Sequence, residues 1–265
     1  MAFLGENMAN IIVCGACGRM GSAIINMAKQ DKEFNIVAGT EIDSSPAIGN
    51  KDPLIVKSSD MESVVNTGDV IIDFTIASNT MKNIEIALKK NAKIVIGTTG
   101  LTDENKEVLK KAGEKISIVF APNMSTGINL LLDIVENISK KIPNYDVEIV
   151  EIHHNKKKDS PSGTALRLAE AVAAGHNKSL KDVGVYGRYG TQALRKPGEI
   201  GVHAVRCGDV CGDHKVYFAS EGEVIEISHK ATSRACLVAG ALRAAKWINY
   251  KPAGFYDMRD VLDLK

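Results

Sequence analysis

Two adjacent histidines, His153 and His154, and three consecutive lysines, Lys156–Lys158, form the densest run of chemically active side chains in this sequence. They stand in Glu148–Ala165, which reads EIVEIHHNKKKDSPSGTA. Val147, Ile149 and Ile152 are the apolar positions of a buried strand that leads into the run. The Pro-Ser-Gly-Thr-Ala that closes it reads as the start of a helix, with Pro161 in the first turn, where its missing N–H is no loss. Exposed N–H groups and the positive end of that helix favour an anion, as do the lysines. The combination suits a small molecule carrying more than one carboxylate, with two imidazoles within reach as proton donors. Neighbouring strand residues point to opposite faces, so both histidines address one pocket only where the strand has ended. Alone, the lysine run reads as a solvated face; beside a helix N-terminus it adds to an anion site. His176, His203, His214 and His229 are isolated and read as structural or surface histidines.

A second constellation lies near the N-terminus. The first strand runs directly into Gly15-Ala16-Cys17-Gly18-Arg19-Met20-Gly21. Glycines at a strand-to-helix turn let backbone approach a pyrophosphate and leave the helix N-terminus facing it. The spacing is GxxGxxG, and its place between strand one and helix one gives the signal its weight. Glu41 ends the second strand, where an acid accepts hydrogen bonds from adenosine ribose hydroxyls. Gly97-Thr98-Thr99-Gly100 and Ala121-Pro122-Asn123-Met124 close two later strands and flank the same crevice, within reach of a nicotinamide. Cys14 and Cys17 form a CxxC that, with Cys207 and Cys211, invites a zinc or redox reading. The CxxxC spacing of the second pair and the glycine turn straddled by the first favour plain small residues instead, so no metal is expected.

The elements that must carry these residues alternate in the first half. Asn10–Cys14, Asn35–Thr40, Leu54–Val56, Asp69–Phe74, Lys93–Ile96 and Ser117–Phe120 read as strands, and their continuous apolar runs suit strands covered on both faces. Helices fall at about Arg19–Lys29, Ser78–Lys90 and Thr102–Lys115, the last with Thr102 and Asp103 as cap candidates. After about Asn123 the rhythm changes: helices at Ile128–Ile138 and Pro161–Ala174 precede closely spaced strands between Gly201 and Thr232, read as an antiparallel meander. The expected fold is α/β, a Rossmann-like doubly wound parallel sheet with an inserted α+β domain containing a mostly antiparallel sheet. Residues 1–124, completed by 234–265, would bind dinucleotide. Residues 125–233 would bind substrate.

A net charge of +1 over 265 residues argues against a nucleic-acid partner. No apolar run approaches the roughly 20 residues of a membrane span, and MAFLGENMAN lacks the features of a secretion signal. Five cysteines without an export signal suggest reduced thiols and a cytoplasmic setting. Met8 stands as an alternative start, which would make residues 1–7 a dispensable, disordered tail.

The motifs GxxGRMG, IDFT (Ile72–Thr75), IGTTG (Ile96–Gly100), Ala-Pro-Asn-Met-Ser, E-x-HH-xx-K-x-D-x-PSGTA and the terminal FYDMRDVLDL together resemble the 4-hydroxy-tetrahydrodipicolinate reductase family, formerly dihydrodipicolinate reductase, over nearly the full length. That resemblance implies a reductase of the diaminopimelate route to lysine using NADH or NADPH. It implies His153 as proton donor and Lys157 as the group that stabilises the transition state and the substrate's charge. His154, Gly163 and Thr164 would hold substrate carboxylates. Gly15, Ala16, Cys17, Gly18, Arg19, Met20, Glu41, Gly97, Thr98, Thr99, Ala121, Pro122, Asn123 and Met124 would line the cofactor. It also implies a homotetramer assembled through the second domain's sheet. One departure stands out: many relatives carry an arginine after the ribose-binding acid, whereas this chain has Ile42, flanked by Glu41 and Asp43. NADH is therefore expected to serve at least as well as NADPH. Two alternatives remain at this level: another nicotinamide oxidoreductase acting on an amino-acid-like carboxylate, and an NAD-binding redox sensor switched by the CxxC.

Overall fold

The computed structural model describes residues 8–265. The suggested tail at residues 1–7 lies outside the described residues. The chain forms two compact units, one reaching to Thr126 and resuming over Ala235–Lys265, the other spanning Gly127–Arg234.

The first unit is built on short, apolar strands: β1 (Ala9–Cys14), β2 (Phe34–Glu41), β3 (Ile55–Lys57), β4 (Val70–Asp73), β5 (Lys93–Ile96) and β6 (Ser117–Phe120). Between them run α1 (Arg19–Ala28), α2 (Ala77–Lys90) and α3 (Asp103–Gly113). Of the two cap candidates Thr102 is the N-cap of α3, in a reciprocal box with Asn105, and Asp103 lies in the first turn. Every pairing in this sheet is parallel. With a last strand, β12 (Gly254–Tyr256), the order is β12-β6-β5-β4-β1-β2-β3. From β1 the chain winds outward to β2 and β3, then returns to β4 on the other side of β1. The strand order thus reverses at β1/β4, and a crevice at the carboxyl ends of these strands follows from topology.

In the second unit, α4 (Thr126–Lys141) begins at the boundary and leads to β7 (Asp146–His153), α5 (Gly163–Gly175), α6 (Leu180–Val183) and β8 (Gly184–Val185). Three longer strands follow: β9 (Ile200–Arg206), β10 (Gly212–Ser220) and β11 (Glu223–Ala231). The sheet order is β11-β10-β7-β9-β8. The sheet is mixed: β10 is antiparallel to β11 and to β7, while β9 is parallel to β7 and β8. The meander expectation holds for β10–β11 and fails at β9–β10, because β7 lies between them. The crossover through α5 forces β9 to run parallel to β7. Leu131, Val135, Leu168 and Val172 pack on Val147, Ile149, Val202, Val216 and Phe218 to make the core.

Two local readings need correction. Ile152 does not share a face with Val147 and Ile149. The period-2 alternation buries Val147, Ile149, Glu151 and His153, so the position in phase is a carboxylate. Pro161 does not sit in the first turn of α5. Ser162 is the N-cap, its hydroxyl accepting from the Ala165 N–H at 3.1 Å, because a serine side chain can satisfy a helix-end donor.

The chain then returns to the first unit through α7 (Ala235–Ile248), β12 (Gly254–Tyr256) and α8 (Met258–Val261). β12 joins the sheet edge beside β6, a strand too short for its periodicity to be read. On α7, Val238, Ala241, Leu242 and Ala245 pack with Ile24, Ile25 and Ala28 of α1 and with Met124. Among the described residues no helix is long and apolar enough to cross a membrane.

Backbone meets backbone where α7 crosses the segment after β6: a Cβ at Gly240 would lie 1.7 Å from the Met124 carbonyl oxygen. Gly240→Ala is expected to destabilise the protein by about 1–3 kcal/mol, as overpacking does. The measurement is urea denaturation, and an unchanged midpoint would refute this account of the contact.

Candidate active site

The turn after β1 has the geometry of an anion cradle. Gly15 sits at φ +68°, a conformation that costs glycine little. Its carbonyl accepts from the Gly18 N–H at 2.9 Å. A Cβ on Gly21 would fall 2.1 Å from the Gly15 oxygen, so α1 can pack this close to the turn only with glycine there. Gly18 is the N-cap of α1 and provides no side-chain cap. Cys17, Gly18 and Arg19 are exposed, Met20 is half-buried and Ala16 is buried. These features fit a dinucleotide pyrophosphate: backbone donors, a helix N-terminus and no side chain in the way.

Glu41 ends β2 as expected, and both its oxygens are engaged, by the Cys17 N–H at 2.9 Å and the Ile42 N–H at 3.0 Å. Ile42 is 62% exposed. Asp43 follows, held by the Ser58 hydroxyl and the Ser59 N–H at 3.3 Å each. Those hydrogen bonds, those from Ser59 first, and the nearby Lys57 charge keep its carboxyl below the ordinary range. At the ends of β4 and β5, Asp73 is wholly buried. It accepts from the Thr75 N–H at 2.8 Å, the Thr75 hydroxyl at 2.6 Å and the Asn83 amide at 3.0 Å. Thr98 is buried in this cluster, 2.9 Å from Thr80, while Thr99 is exposed. Gly97 and Ala121 are buried, Pro122 is exposed, and Asn123 accepts from the Ser125 N–H at 2.9 Å. Met124 lies in the apolar core, which leaves backbone as its means of meeting a ligand.

The cysteine pair is split by the turn. Cys14 is buried, its Sγ 3.9 Å from the Met61 sulfur, and burial together with Asp73 pushes its thiol well up. Cys17 is exposed, and its thiol is also raised, by partial burial and by Glu41. Raised thiols are poor nucleophiles and poor metal ligands at neutral pH.

In the second unit, β7 ends on His153 and the chain leaves the strand at His154. His153 is 9% exposed, and its Nδ1 lies 2.5 Å from Glu151, two residues back on the same face. Burial holds the His153 imidazole below its ordinary range, Lys157 and Arg206 push the same way, and Glu151 opposes them. His154 is half-buried and exposed Asn155 follows. Of the three lysines, Lys156 and Lys158 are exposed, whereas Lys157 turns inward and pairs with Asp159 at 2.9 Å. Gly163 is the first residue of α5 and exposed, and Thr164 beside it is half-buried. An imidazole, a cation and a helix N-terminus thus lie within one short stretch of this unit, beside a fully buried Glu151.

Four residues near His153 escape a sequence reading. Glu151 looks like the polar position of an alternating strand. Arg206, at the end of β9, grips both oxygens of Glu151 at 2.8 Å. His214 on β10 is buried, not a surface histidine, and its ring stands edge-on to His153 with centroids 5.0 Å apart. Ser162, besides capping α5, bonds His214 Nε2 at 3.1 Å through its hydroxyl. A serine before Gly-Thr-Ala was the one available signal, as a cap.

Comparison with known proteins gives a consistent picture. The family described as "Dihydrodipicolinate reductase, N-terminus" matches residues 9–124, and "Dihydrodipicolinate reductase, C-terminus" matches residues 127–262. The 4-hydroxy-tetrahydrodipicolinate reductase of Burkholderia multivorans is 44% identical over 263 residues, covering 96% of this chain and 99% of its own. That of Psychrobacter arcticus is 42% identical, covering 98% and 96%. Among solved structures, a dipicolinate-bound dihydrodipicolinate reductase from Paenisporosarcina sp. TG-14 matches with TM-score 0.76 at 22% identity, covering 94% of this chain and 97% of that one. A myo-inositol dehydrogenase from Corynebacterium glutamicum matches with TM-score 0.57 at 15% identity, covering 94% and 90%. At those identities the two structures speak for the fold alone. With both halves matched and more than two-fifths of its residues shared with full-length relatives, the chain belongs to the dihydrodipicolinate reductase family.

Proposed function

We propose that this protein reduces 4-hydroxy-tetrahydrodipicolinate to tetrahydrodipicolinate, releasing the 4-hydroxyl as water, in the diaminopimelate route to lysine. The observation that carries the reading is the end-to-end kinship with reductases of that name. The His153–Lys157 stretch supplies the matching chemistry. A nicotinamide cofactor, when bound, supplies the hydride. Gly15 to Met20 would hold its pyrophosphate, Glu41 its ribose, and Gly97 to Thr99 with Ala121 to Met124 would line the rest of its site. Reduction of a conjugated, imine-containing ring builds negative charge, which the Lys157 ammonium stabilises. His153 then delivers the proton. His154, Gly163 and Thr164 hold the substrate carboxylates, aided by the N–H groups and dipole of α5.

This assignment makes the first unit the dinucleotide domain and the second the substrate and assembly domain. Tetramer formation through the second unit's sheet finds support in Val205, Val224 and Ile225, which stand 38–62% exposed on its strands. Light scattering should return four copies per particle; a monomeric mass would refute the assembly. The cytoplasm is the matching location.

Cofactor choice follows from charge. Beyond Glu41 lie exposed Ile42 and ionised Asp43, and Lys57 is already set against Asp43. A dianionic 2′-phosphate would meet two carboxylates, with Arg19 to offset them. NADH is expected to match or exceed NADPH in kcat/KM, and a clear NADPH preference would sink this reading.

The direct assay couples the purified protein to the upstream synthase, with pyruvate and aspartate semialdehyde, and follows absorbance loss. His153→Ala should lower kcat by about 10²–10⁴-fold, the range for a lost general acid. Lys157→Ala should lower kcat by roughly 10²–10³-fold, the range for a lost charge-stabilising donor. Both should bind dinucleotide normally. Normal turnover in either variant would overturn its role.

A further inference from the structure

We propose that Glu151, locked by Arg206, is the positioning residue of the site: it fixes His153 in the tautomer that carries hydrogen on Nδ1 and so makes Nε2 the atom that delivers the proton. The inference rests on the reading of His153 as proton donor.

The argument begins with the lone pairs of one carboxylate. Glu151 is 0% exposed, so it must find its partners within the protein. Its Oε1 accepts from the Ser162 N–H at 2.9 Å and from Arg206 Nη2 at 2.8 Å. Its Oε2 accepts from Arg206 Nη1 at 2.8 Å and lies 2.5 Å from His153 Nδ1. A backbone N–H and a guanidinium can only donate. Burial alone would push the Glu151 carboxyl up, but Arg206, His153 and Ser162 together hold it below the ordinary range. The group is therefore ionised at neutral pH and can only accept. The contact at Nδ1 must then be N–H to oxygen. The neighbours dictate the tautomer.

Nε2 is left as the atom whose proton can come and go. Its surroundings suit that task. A Cβ on Gly212 would lie 3.1 Å from Nε2, so glycine at this position keeps its own side chain off the delivering nitrogen. His214 stands edge-on to the ring and limits its rotation. Burial first, and then the neighbouring His153, push His214 down to about 4, so it stays neutral and adds no charge against an imidazolium. Arg206 also donates to the Asp159 carbonyl at 2.7 Å, and Asp159 pairs with Lys157 through its side chain. The clamp that fixes the proton donor is thus tied to the loop that carries the cation.

The charged and titratable groups facing His153 are Glu151 on its own strand, Arg206 on β9, His214 on β10 and Lys157 on the following loop. Glu151 alone favours the imidazolium. Removing its charge should make His153 lose its proton at lower pH.

Three measurements test this, all on the full-length enzyme. Ring 15N chemical shifts of the wild-type protein, with His153 assigned by its absence in His153→Ala, should show a protonated Nδ1 and a bare Nε2 in the neutral form. The opposite tautomer would overturn the inference, whatever any variant does. Glu151→Gln should lower kcat by roughly 10- to 100-fold, part of the cost of losing a general acid outright. Dinucleotide KM should be unchanged, and the alkaline limb of the kcat–pH profile should move to lower pH. A purely structural ion pair would leave that limb in place, and an unmoved limb with wild-type kcat overturns the proposal. Gly212→Ala removes no charge; by crowding Nε2 it should lower kcat about tenfold, as small misplacements of a reacting group do. Melting temperature should hold in that variant, and unaltered kcat counts against Nε2. Should Glu151→Gln fail to fold, the wild-type shifts and Gly212→Ala decide. Full turnover in His153→Ala would instead remove the proton-donor reading itself.

Discussion

A carboxylate taken out of water must find donors for its lone pairs or be driven to its neutral form, and this constraint organises both halves of the molecule. Each unit buries one carboxylate at or near the carboxyl end of a central strand: Asp73 on β4 and Glu151 on β7. In each case the donors come from segments that carry proposed site residues. Asp73 gathers Thr75 from the turn after β4, Asn83 from α2 and Thr98 from the turn after β5. Glu151 gathers His153, Ser162 at the start of α5 and Arg206 from β9. Satisfying one acid therefore sets the relative positions of a strand end, a turn and a helix: the middle of α2 for Asp73, the N-terminus of α5 for Glu151. Losing the charged partner of a buried ion pair such as Glu151–Arg206 costs roughly 3–5 kcal/mol, and losing a neutral donor to a buried charge such as Asp73 costs about 1.5–3 kcal/mol.

The two clusters differ in what they hold. The Asp73 cluster is made of hydroxyls and an amide, uncharged donors that stiffen the strand ends beneath the crevice. The Glu151 cluster brings in a guanidinium and two imidazoles, which makes it responsive to protons. Arg206 matters here as a planar fork: its two nitrogens take both carboxylate oxygens at once, which a lysine cannot do. That bidentate grip leaves Glu151 a single position from which to meet His153. In the first unit the corresponding work is done by backbone, with the glycine turn at Gly15 and Gly18 leading into the opening of α1, whose first N–H groups have no side-chain cap.

The parallel sheet and its glycine turn were readable because a fully buried strand announces itself as a short apolar run. The residues after β1 likewise occupy consecutive positions. His153, His154 and Lys157 were readable for the same reason, lying together in the chain. What escaped was long-range or out of phase. Ile152 has the apolar character of a core position, whereas the alternation set by Val147 and Ile149 puts Glu151 inward. Nothing local distinguishes a buried glutamate from a surface one; its partner, Arg206, lies 55 residues away. His214 is equally remote and comes to His153 through the β10–β7 pairing. The meander over β9–β11 failed for a related reason. Turn spacing shows which strands follow each other, but not that an earlier strand, β7, takes the place between two of them.

The ribose end of the proposed cofactor site obeys the same rule about acceptors in reverse. Glu41 is not left waiting for a ligand, since its oxygens already accept from the Cys17 and Ile42 N–H groups. Those bonds tie the acid to the glycine turn and aim it before anything binds, leaving lone pairs that suit hydroxyl donors. A phosphate has no donor to give such an acid and brings two negative charges of its own. The discrimination we propose between NADH and NADPH thus needs no special pocket. It comes from an oriented acceptor, a second carboxylate at Asp43, and an isoleucine where a cation would otherwise stand.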